Sequence, residues 1–575
     1  MATQDLSNSR SWRVPAPGSL KPADIASFAR ATNVHPLVAE VLLRRKYTPQ
    51  SATRFMKPGL SDTHDPMLMK GMDAARRRVA RAVGESERIL VFGDYDADGI
   101  TGAALLQSWL ATNHAIVSSM IPMRQDGYGF SLTRARAIVA LPADQRPKLV
   151  ITVDLGTSDH EAIQCLRDSG IDVVVTDHHL VLRGAPPTPY FINPARLDET
   201  YPYKGLSGCG VAYKLVQSMS TSSHEPALYD LVMMSTIGDQ VPLTDENRYI
   251  VKASLQILHR KAAGNFGLRA LANTANIHLD QITSEQIGWS ICPRINAVGR
   301  MGQNPEMAVT LLTTPHMAEA NSIAAKMHTL NRERQTLTDE LTERAFKLVG
   351  DKPDPFIVVY IPDCGVGVAG LIAARVVEEY GRPTLVVNEE GRGSGRSPEP
   401  GHMMEYMGQL HHMGVFGGVR KDVNGETVTP DYGGHAGACG FRNVDVSLLR
   451  SKARNVIVEA DESSGVIKIE AVMPLASITP RVIQELEILE PFGVGNAKPV
   501  IMVPNLTVID QSTTKDGKTL NLTLTDGETT TRARWFRHGH LVGKIPHRVE
   551  MLGIPSFGWV DTRPELLITA LRPIR

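Results

Sequence analysis

Three textures of hydrophobic and polar positions follow one another along the chain. From about residue 61 to 315, short β-rich runs alternate with helical stretches. The clearest runs are RILVFGD (88–94), KLVITVD (148–154) and IDVVVTD (171–177). Their apolar residues are continuous rather than alternating, which predicts strands buried on both faces of a parallel sheet. HEAIQCLRDSG, between the second and third runs, reads as the crossover helix of a βαβ unit. Ahead of this region, KPADIASFARATNVHPLVAEVLLRRK has helical spacing and predicts a helical lead-in over 1–60.

Residues 316–350 contain no proline and only a terminal glycine. Ile323, Met327, Leu330, Leu337, Leu341 and Phe346 recur there at three- to seven-residue intervals, predicting one long helix whose simplest use is a solvated connector. PFIVVYIPD then opens a second α/β segment over 351–465, with GVAGLIAARVVEEYGRP as its helix. The stretch 417–434 within it reads as a mobile loop. From 466 to 575 the runs IKIEAVM, KTLNLTLTDG, TTRARWF and ELLITALRPI alternate apolar and polar residues, predicting a small antiparallel β-barrel or sandwich.

A chain of 575 residues is too long for one core. Its 42% hydrophobic and 21% charged residues are those of an ordinary globular protein, with no run of ~20 apolar residues to cross a membrane and no secretory apolar core at the start. Lysine plus arginine equals aspartate plus glutamate at 61 each, so bulk charge does not announce nucleic acid, although a local basic groove is compatible with it. Five cysteines (165, 209, 292, 364, 439) form no CxxC pair and are odd in number. That argues for reduced thiols in a cytosol rather than disulfides or a zinc site.

Ligands of open parallel sheets bind beyond the carboxyl ends of the strands. Three predicted strands end there in Asp94, Asp154 and Asp177; His178 and His179 follow the last, and GDYDADG adds Asp96 and Asp98. One aspartate after a strand is commonly a helix cap. Several converging on one sheet edge repel each other unless protonated or neutralised, and divalent cations resolve the conflict. Mixed carboxylate and imidazole ligands suit Mn²⁺ or Mg²⁺. Asp239, in STIGDQVPL, reads on its own as a turn residue. PRINAVGRM (293–301), GRGSGRSPEPGH (391–402) and DYGGHAGACGF (431–441) combine arginines, a histidine and glycines suited to phosphate oxygens, though none is a P-loop.

In order and spacing, GDYDADG, ITVDLG, VTDHH and GDQVPL resemble the four motifs of the DHH phosphoesterase superfamily. GSGRS and GGHAGACGF resemble the substrate-binding domain of its DHHA1 branch. With EPFGVGN (490–496) ahead of the β-region, nearly the whole chain resembles the 5′→3′ single-strand DNA exonucleases of that branch. The resemblance implies an α/β fold: a parallel-sheet DHH domain (61–315), a connecting helix (316–350), a DHHA1 domain (351–465) and a C-terminal OB-like barrel (466–575). It implies two divalent cations, Mn²⁺ preferred or Mg²⁺, on Asp94, Asp96, Asp98, Asp154, His178 and Asp239, with Asp154 bridging. Asp177, His178 and His179 are implied as the catalytic motif. Arg124 is implied at the 5′-terminal phosphate, and Arg294, Asn296, Arg300, Ser394, Arg396, Gly433, Gly434 and His435 on the substrate.

The same resemblance implies hydrolysis of single-stranded DNA to mononucleotides in DNA repair and recombination, by a cytoplasmic, nucleoid-associated monomer with no membrane. A single-strand-binding protein and a helicase are its implied partners. Trp535 and Phe536 are candidate stacking residues on the barrel, with burial in the core expected of at least one. Leu155 stands where the family commonly has asparagine, and Cys364–Gly365 where it often has an aromatic residue and histidine. Two alternatives remain: a DHH phosphodiesterase of short oligonucleotides or cyclic dinucleotides, whose chains generally lack the β-region, and a non-catalytic DNA-binding accessory, which would have lost ligands.

Overall fold

A computed structural model describes residues 11–16, 18–220, 226–261, 264–398, 401–418, 420–421, 427–428, 430–458, 466–558 and 563–574. The chain divides into two units, residues 64–464 and residues 1–63 with 465–575.

In the first unit the predicted runs form strands β1 (Arg88–Gly93), β3 (Leu149–Val153) and β4 (Asp172–Thr176). With β2 (Ile116–Met120) and β5 (Tyr190–Ile192) they make an all-parallel sheet of order β2-β1-β3-β4-β5. Val91, Ile151 and Val174 face a core built with helices α1 (Ala97–Thr112), α3 (Gly208–Met219) and α4 (Tyr229–Gly238). Leu90, Val150, Val173 and Val175 face a second core with the crossover helix α2 (His160–Asp168), so both faces are covered as the apolar runs require. The register aligns the strand ends: Gly93 pairs with Val153, and Val153 with Thr176. The ladder then runs one residue further, with Asp94 N–H donating to Val153 O (3.2 Å), Asp154 N–H to Thr176 O (3.0 Å) and Asp177 N–H to Ile192 O (3.2 Å). Three aspartates therefore stand side by side on one sheet edge.

Helix α5 (Cys292–Arg300) and the long helix α6 (Met317–Val349) follow. Helix α6 differs from a solvated connector. Ala320, Ala324 and Met327 lie in the core of the first sheet, while Leu341 and Ala345 lie in the core of the next lobe. The small alanines allow this close approach, and a count of large apolar residues overlooks them. The second lobe is a mixed sheet of order β9-β10-β8-β7-β6. Its strands are β6 (Ile357–Tyr360), β7 (Thr384–Val387), β8 (Gly393–Arg396), β9 (Asp431–His435) and β10 (Ala438–Arg442), and α7 (Val366–Tyr380) packs against it. Of the 417–434 stretch, residues 419, 422–426 and 429 lie outside the described residues, while Arg420–Lys421 pairs antiparallel with Thr427–Val428.

In the second unit five strands close into a barrel: β11 (Ile501–Thr513), β12 (Leu520–Thr525), β13 (Thr530–Trp535), β15 (Pro564–Pro573) and β14 (Arg548–Phe557), which returns to β11. The sequence pattern left out β11 and β14, whose prolines and inward apolar runs blur alternation. IKIEAVM instead supplies two short strands at the barrel's margin, Val466–Lys468 beside Ser11–Arg13 and Ala471–Val472 beside β11. The N-terminal helices Pro22–Thr32, Pro36–Arg44 and Pro49–Met56 do not stand alone as a lead-in. Phe28, Val41, Leu42 and Phe55 share one core with Val503, Leu522 and Met551 of the barrel.

EPFGVGN has a structural role in this unit. Asn496 Nδ2 donates to Leu489 O and Pro491 O, and its Oδ1 accepts from Arg45 Nη1 at 2.6 Å. Arg45 also grips buried Glu470 with two bonds of 2.7 Å. Arg45→Ala leaves that carboxylate buried without its cation and is expected to destabilise this unit by about 3 kcal/mol. Thermal unfolding should show an earlier transition for the variant, with the midpoint of the 64–464 unit unmoved.

Candidate metal centre

The edge aspartates are positioned by what surrounds them. Asp96 caps α1, its Oδ1 accepting from the N–H groups of Asp98 (2.9 Å) and Gly99 (3.3 Å). Asn296 Oδ1 accepts from Ala97 N–H at 2.8 Å and braces the same turn from α5. Asp98 points to the N-terminus of α3, where its carboxylate accepts from Gly208 N–H and Cys209 N–H, both at 2.7 Å, and from Ser235 Oγ at 2.6 Å. That helix end favours an anion. Asp154 sits at φ +63°, a left-handed conformation sparsely populated by non-glycine residues, which turns its carboxylate back over the sheet edge. Asp239 is the C-cap of α4.

Six of the seven ligand-type residues group into two sets whose donor atoms lie within 4.8 Å of one another: Asp94, Asp96 and Asp154, and Asp98, His178 and Asp239. Asp154, His178 and His179 form a third overlapping set. His178 Nε2 lies 3.1 Å from Asp154 Oδ1, 3.6 Å from Asp239 Oδ2 and 3.7 Å from Asp98 Oδ2. Asp94 Oδ1, Asp154 Oδ1 and His178 Nε2 are buried and make no hydrogen bond. Burial and the neighbouring negative charges push the carboxyls of Asp94 and Asp154 well above their ordinary range, and that of Asp239 up to about 9. Burial holds His178 below its ordinary value. Unpaired acceptors, mutual repulsion and a neutral imidazole are the donor set a pair of hard divalent cations satisfies.

Asp177 differs from its neighbours. Its two oxygens accept from Thr157 N–H (3.0 Å), His178 N–H (2.7 Å), His179 N–H (3.2 Å) and His179 Nδ1 (2.8 Å). Burial raises its pKa, but the hydrogen bond from His179 and the imidazole charges outweigh it and hold the carboxyl far below the usual range. Burial works against a charged His179, while the bond to Asp177 and that carboxylate's charge raise it to about 9. Asp177 thus orients His179 and keeps it cationic. Tyr128 Oη lies 3.2 Å from His179 Nε2, and Asn193 Nδ2 donates to His179 O at 2.9 Å. Leu155 goes into the core beneath the edge.

The turn also depends on two close approaches. A Cβ on Gly99 would lie 2.2 Å from Asp94 N, and one on Gly208 would lie 2.6 Å from Asp154 Cβ. Gly208→Ala is therefore expected to displace Asp154 and lower kcat by on the order of 10²-fold, measured at a saturating divalent cation.

The residues expected on the substrate side include a separate, cationic group. Arg124 lies over the Tyr95 ring at 4.6 Å, next to the aspartate loop. Arg300 Nη1 donates to Gly367 O at 2.7 Å, linking α5 to α7. Arg396 Nη1 donates to Gly395 O (2.8 Å) and Ser394 Oγ (3.3 Å), while Ser394 Oγ donates to Cys439 O (2.9 Å). Gly433, Gly440 and Ser394 fall in one row across β9, β10 and β8, and Gly434, Cys439 and Gly395 in the next. The backbone of His435 pairs with Ala438; its side chain lies outside the described residues. Burial and the charges of Arg124, Arg334 and Arg396 push Arg300 down to about 9. A guanidinium keeps its proton at neutral pH, so the group is a concentration of positive charge that an anion relieves. Arg334, on α6, carries no sequence signal. Arg294 stands further along, bonded to Ser290 O and to His328 Nδ1. Buried Cys364 and the N-cap Gly365 sit at the start of α7.

Residues 88–236 match the family model "DHH family, N-terminal domain", and residues 469–559 match "RecJ OB domain". The single-stranded-DNA-specific exonuclease RecJ of Bacillus subtilis is 31% identical over 98% of this chain and 71% of its own. The chain belongs to the RecJ family. RecJ of Thermus thermophilus is likewise 31% identical, over 82% of this chain and 69% of its own length. The crystal structure of the Thermus RecJ in complex with Mn²⁺ superposes with a TM-score of 0.81 at 28% identity, covering 98% of this chain and 80% of that one. A second RecJ structure bound to manganese gives 0.57 at 32% identity, covering 68% of this chain and 94% of that one. The α/β architecture with a C-terminal OB barrel is the RecJ one.

Proposed function

We propose that this protein is a single-stranded-DNA-specific exonuclease that removes mononucleotides from the 5′ end with Mn²⁺ or Mg²⁺. The observation that carries this reading is the buried carboxylate–imidazole cluster with three donor atoms that make no hydrogen bond, near a concentration of arginines drawn from both lobes. One cation is assigned to Asp94, Asp96 and Asp154 and the other to Asp98, His178 and Asp239, with Asp154 beside both. Bound together, such a pair activates a water and stabilises the leaving oxygen of a phosphodiester.

The chain's own groups supply the rest. Asp98, held by the α3 N-terminus, and Asp154, held by its backbone turn, keep fixed positions as charge changes around them. His179, cationic and aimed by Asp177, is placed to stabilise developing negative charge at the reacting phosphate. Arg124, Arg300 and Arg396 take the terminal phosphate, with Ser394 and the glycine rows of β8–β10 admitting its oxygens closely. Selection of a single strand over a duplex is assigned to the space between the two lobes that α6 joins. In this division residues 61–315 cut, 351–465 hold the substrate, and the 466–575 barrel binds single-stranded DNA. On the barrel, Trp535 is core and stacks on His538, while Phe536 is exposed. A single-strand-binding protein and a helicase are fitting partners for a cytoplasmic enzyme of DNA repair and recombination, because they present unpaired ends. No described helix is long and apolar enough to cross a membrane.

Digestion of single strands labelled at either end, beside a blunt duplex and with Mn²⁺ or EDTA, tests the reading. The 5′ label should leave first as a mononucleotide, from the single strand alone and only with the cation. Release starting at the 3′ end, or cleavage confined to dinucleotides, would favour a phosphodiesterase of short oligonucleotides.

A further inference from the structure

The segment leading into α5 is a π-helical turn, Ile287–Ile291, closed by Cys292 N–H donating to Ile287 O. Such widened turns are rare and concentrate at functional sites. Here Ile287 and Ile291 are buried, whereas Trp289 between them is 78% exposed. Of the four described tryptophans it alone is on the surface; Trp535 is 5% exposed, and Trp12 and Trp109 are partly buried.

The neighbouring chemistry identifies an occupant. The carbonyl of Ser290, the next residue, accepts from Arg294 Nη1, so the guanidinium is folded back onto this turn. Arg294 Nη2 is bonded to His328 Nδ1 at 3.2 Å, and its buried Nε has no partner. Gly288 packs against Ile237, two residues before Asp239, since a Cβ there would lie 3.2 Å from Ile237 Cγ2. An exposed flat apolar ring and a guanidinium folded onto the backbone of the same turn, which is seated against the α4 helix, match a nucleotide: an anionic backbone with a planar face every residue.

We propose that Trp289 is the stacking platform for a base of the single strand whose phosphate Arg294 holds. The inference rests on the single-strand reading above and adds the residue that receives a base. Because every base has a π-face, the platform is indifferent to sequence. The stack is equally present before and during hydrolysis, so it acts on KM and not on kcat.

The test compares wild type, Trp289→Ala and Trp289→Phe on a single-stranded oligonucleotide with Mn²⁺, and on the same strand carrying one abasic residue at successive positions. Trp289→Ala should raise KM roughly 10- to 100-fold, the scale of one lost base–aromatic stack, with kcat within about twofold, and Trp289→Phe should restore most of the loss. An abasic residue at one register should raise KM for wild type and not for Trp289→Ala. The salt dependence of KM should keep its slope, since no phosphate contact is removed. Unchanged KM in Trp289→Ala, or an abasic penalty equal in both proteins, would overturn the platform while leaving the exonuclease reading intact. Failure of wild type to digest the intact strand would overturn both.

Discussion

Asp154→Asn is expected to abolish strand hydrolysis, by on the order of 10³-fold or more, while making the cation-free protein more stable. Asparagine keeps the shape of the side chain and tolerates the left-handed backbone at φ +63°, so the substitution removes a charge without adding strain. The sign of the stability effect follows from the shift. Burial and the charges of Asp98, Asp96, Asp239 and Asp94 raise the Asp154 carboxyl well above its ordinary value. The native state therefore holds a proton that the unfolded chain releases at about pH 4. Stability contributed by that proton is present at low pH and is lost as pH rises toward the native value. At neutral pH this buried carboxyl, pressed by its anionic neighbours, destabilises the cation-free fold, and its replacement by a neutral amide should raise the unfolding midpoint. Mn²⁺ reverses the order. At 100 times its Kd a ligand stabilises by about 2.7 kcal/mol, and the gain from Mn²⁺ is expected to be smaller in the variant than in wild type. Thermal unfolding in EDTA and in Mn²⁺, beside a turnover assay, reads both effects.

Arg396→Ala is expected to raise KM for a 5′-phosphorylated single strand by roughly 30- to 150-fold, the worth of a charge-assisted contact of about 2–3 kcal/mol, and to change KM for a 5′-hydroxyl strand by less than about threefold. Partial burial and the charge of Arg124 lower the Arg396 pKa, and the same repulsion reaches Arg300 from Arg396, Arg124 and Arg334. A terminal phosphate carries more charge than an internal one and relieves more of this repulsion. Losing one guanidinium should therefore erase the preference between the two ends. Steady-state kinetics on paired oligonucleotides differing only at the 5′ terminus would show it; an equal loss on both strands would place Arg396 away from the end.

The metal edge was legible because the physics that hides a strand also marks its end. Continuous apolar runs at 88–93, 149–153 and 172–176 place their following residues in one row, and those residues are Asp94, Asp154 and Asp177. What separates their roles was not legible, since it depends on partners distant in sequence. Asp98 is satisfied by Gly208, Cys209 and Ser235, more than a hundred residues away, and Asp177 by Thr157 and its own following turn. The brace that Asn296 Oδ1 gives the α1 N-terminus was not legible either, because Ala97 lies 199 positions away in sequence. Arg334 is an ordinary polar position of a long helix until Arg300 is brought beside it. The N-terminal helices displayed an apolar face without saying which core it joins, and only the barrel supplies the answer.

Asp94, Asp96, Asp98, Asp154, His178 and Asp239 are proposed to form one two-cation site. Titration of the cation-free full chain with Mn²⁺, read by electron paramagnetic resonance, tests it most directly. Wild type should bind two Mn²⁺ per chain with the exchange-coupled signal of ions roughly 3.5–4 Å apart, and Asp154→Asn should bind at most one, without coupling. Two coupled ions in Asp154→Asn, or no bound Mn²⁺ in wild type, would contradict it.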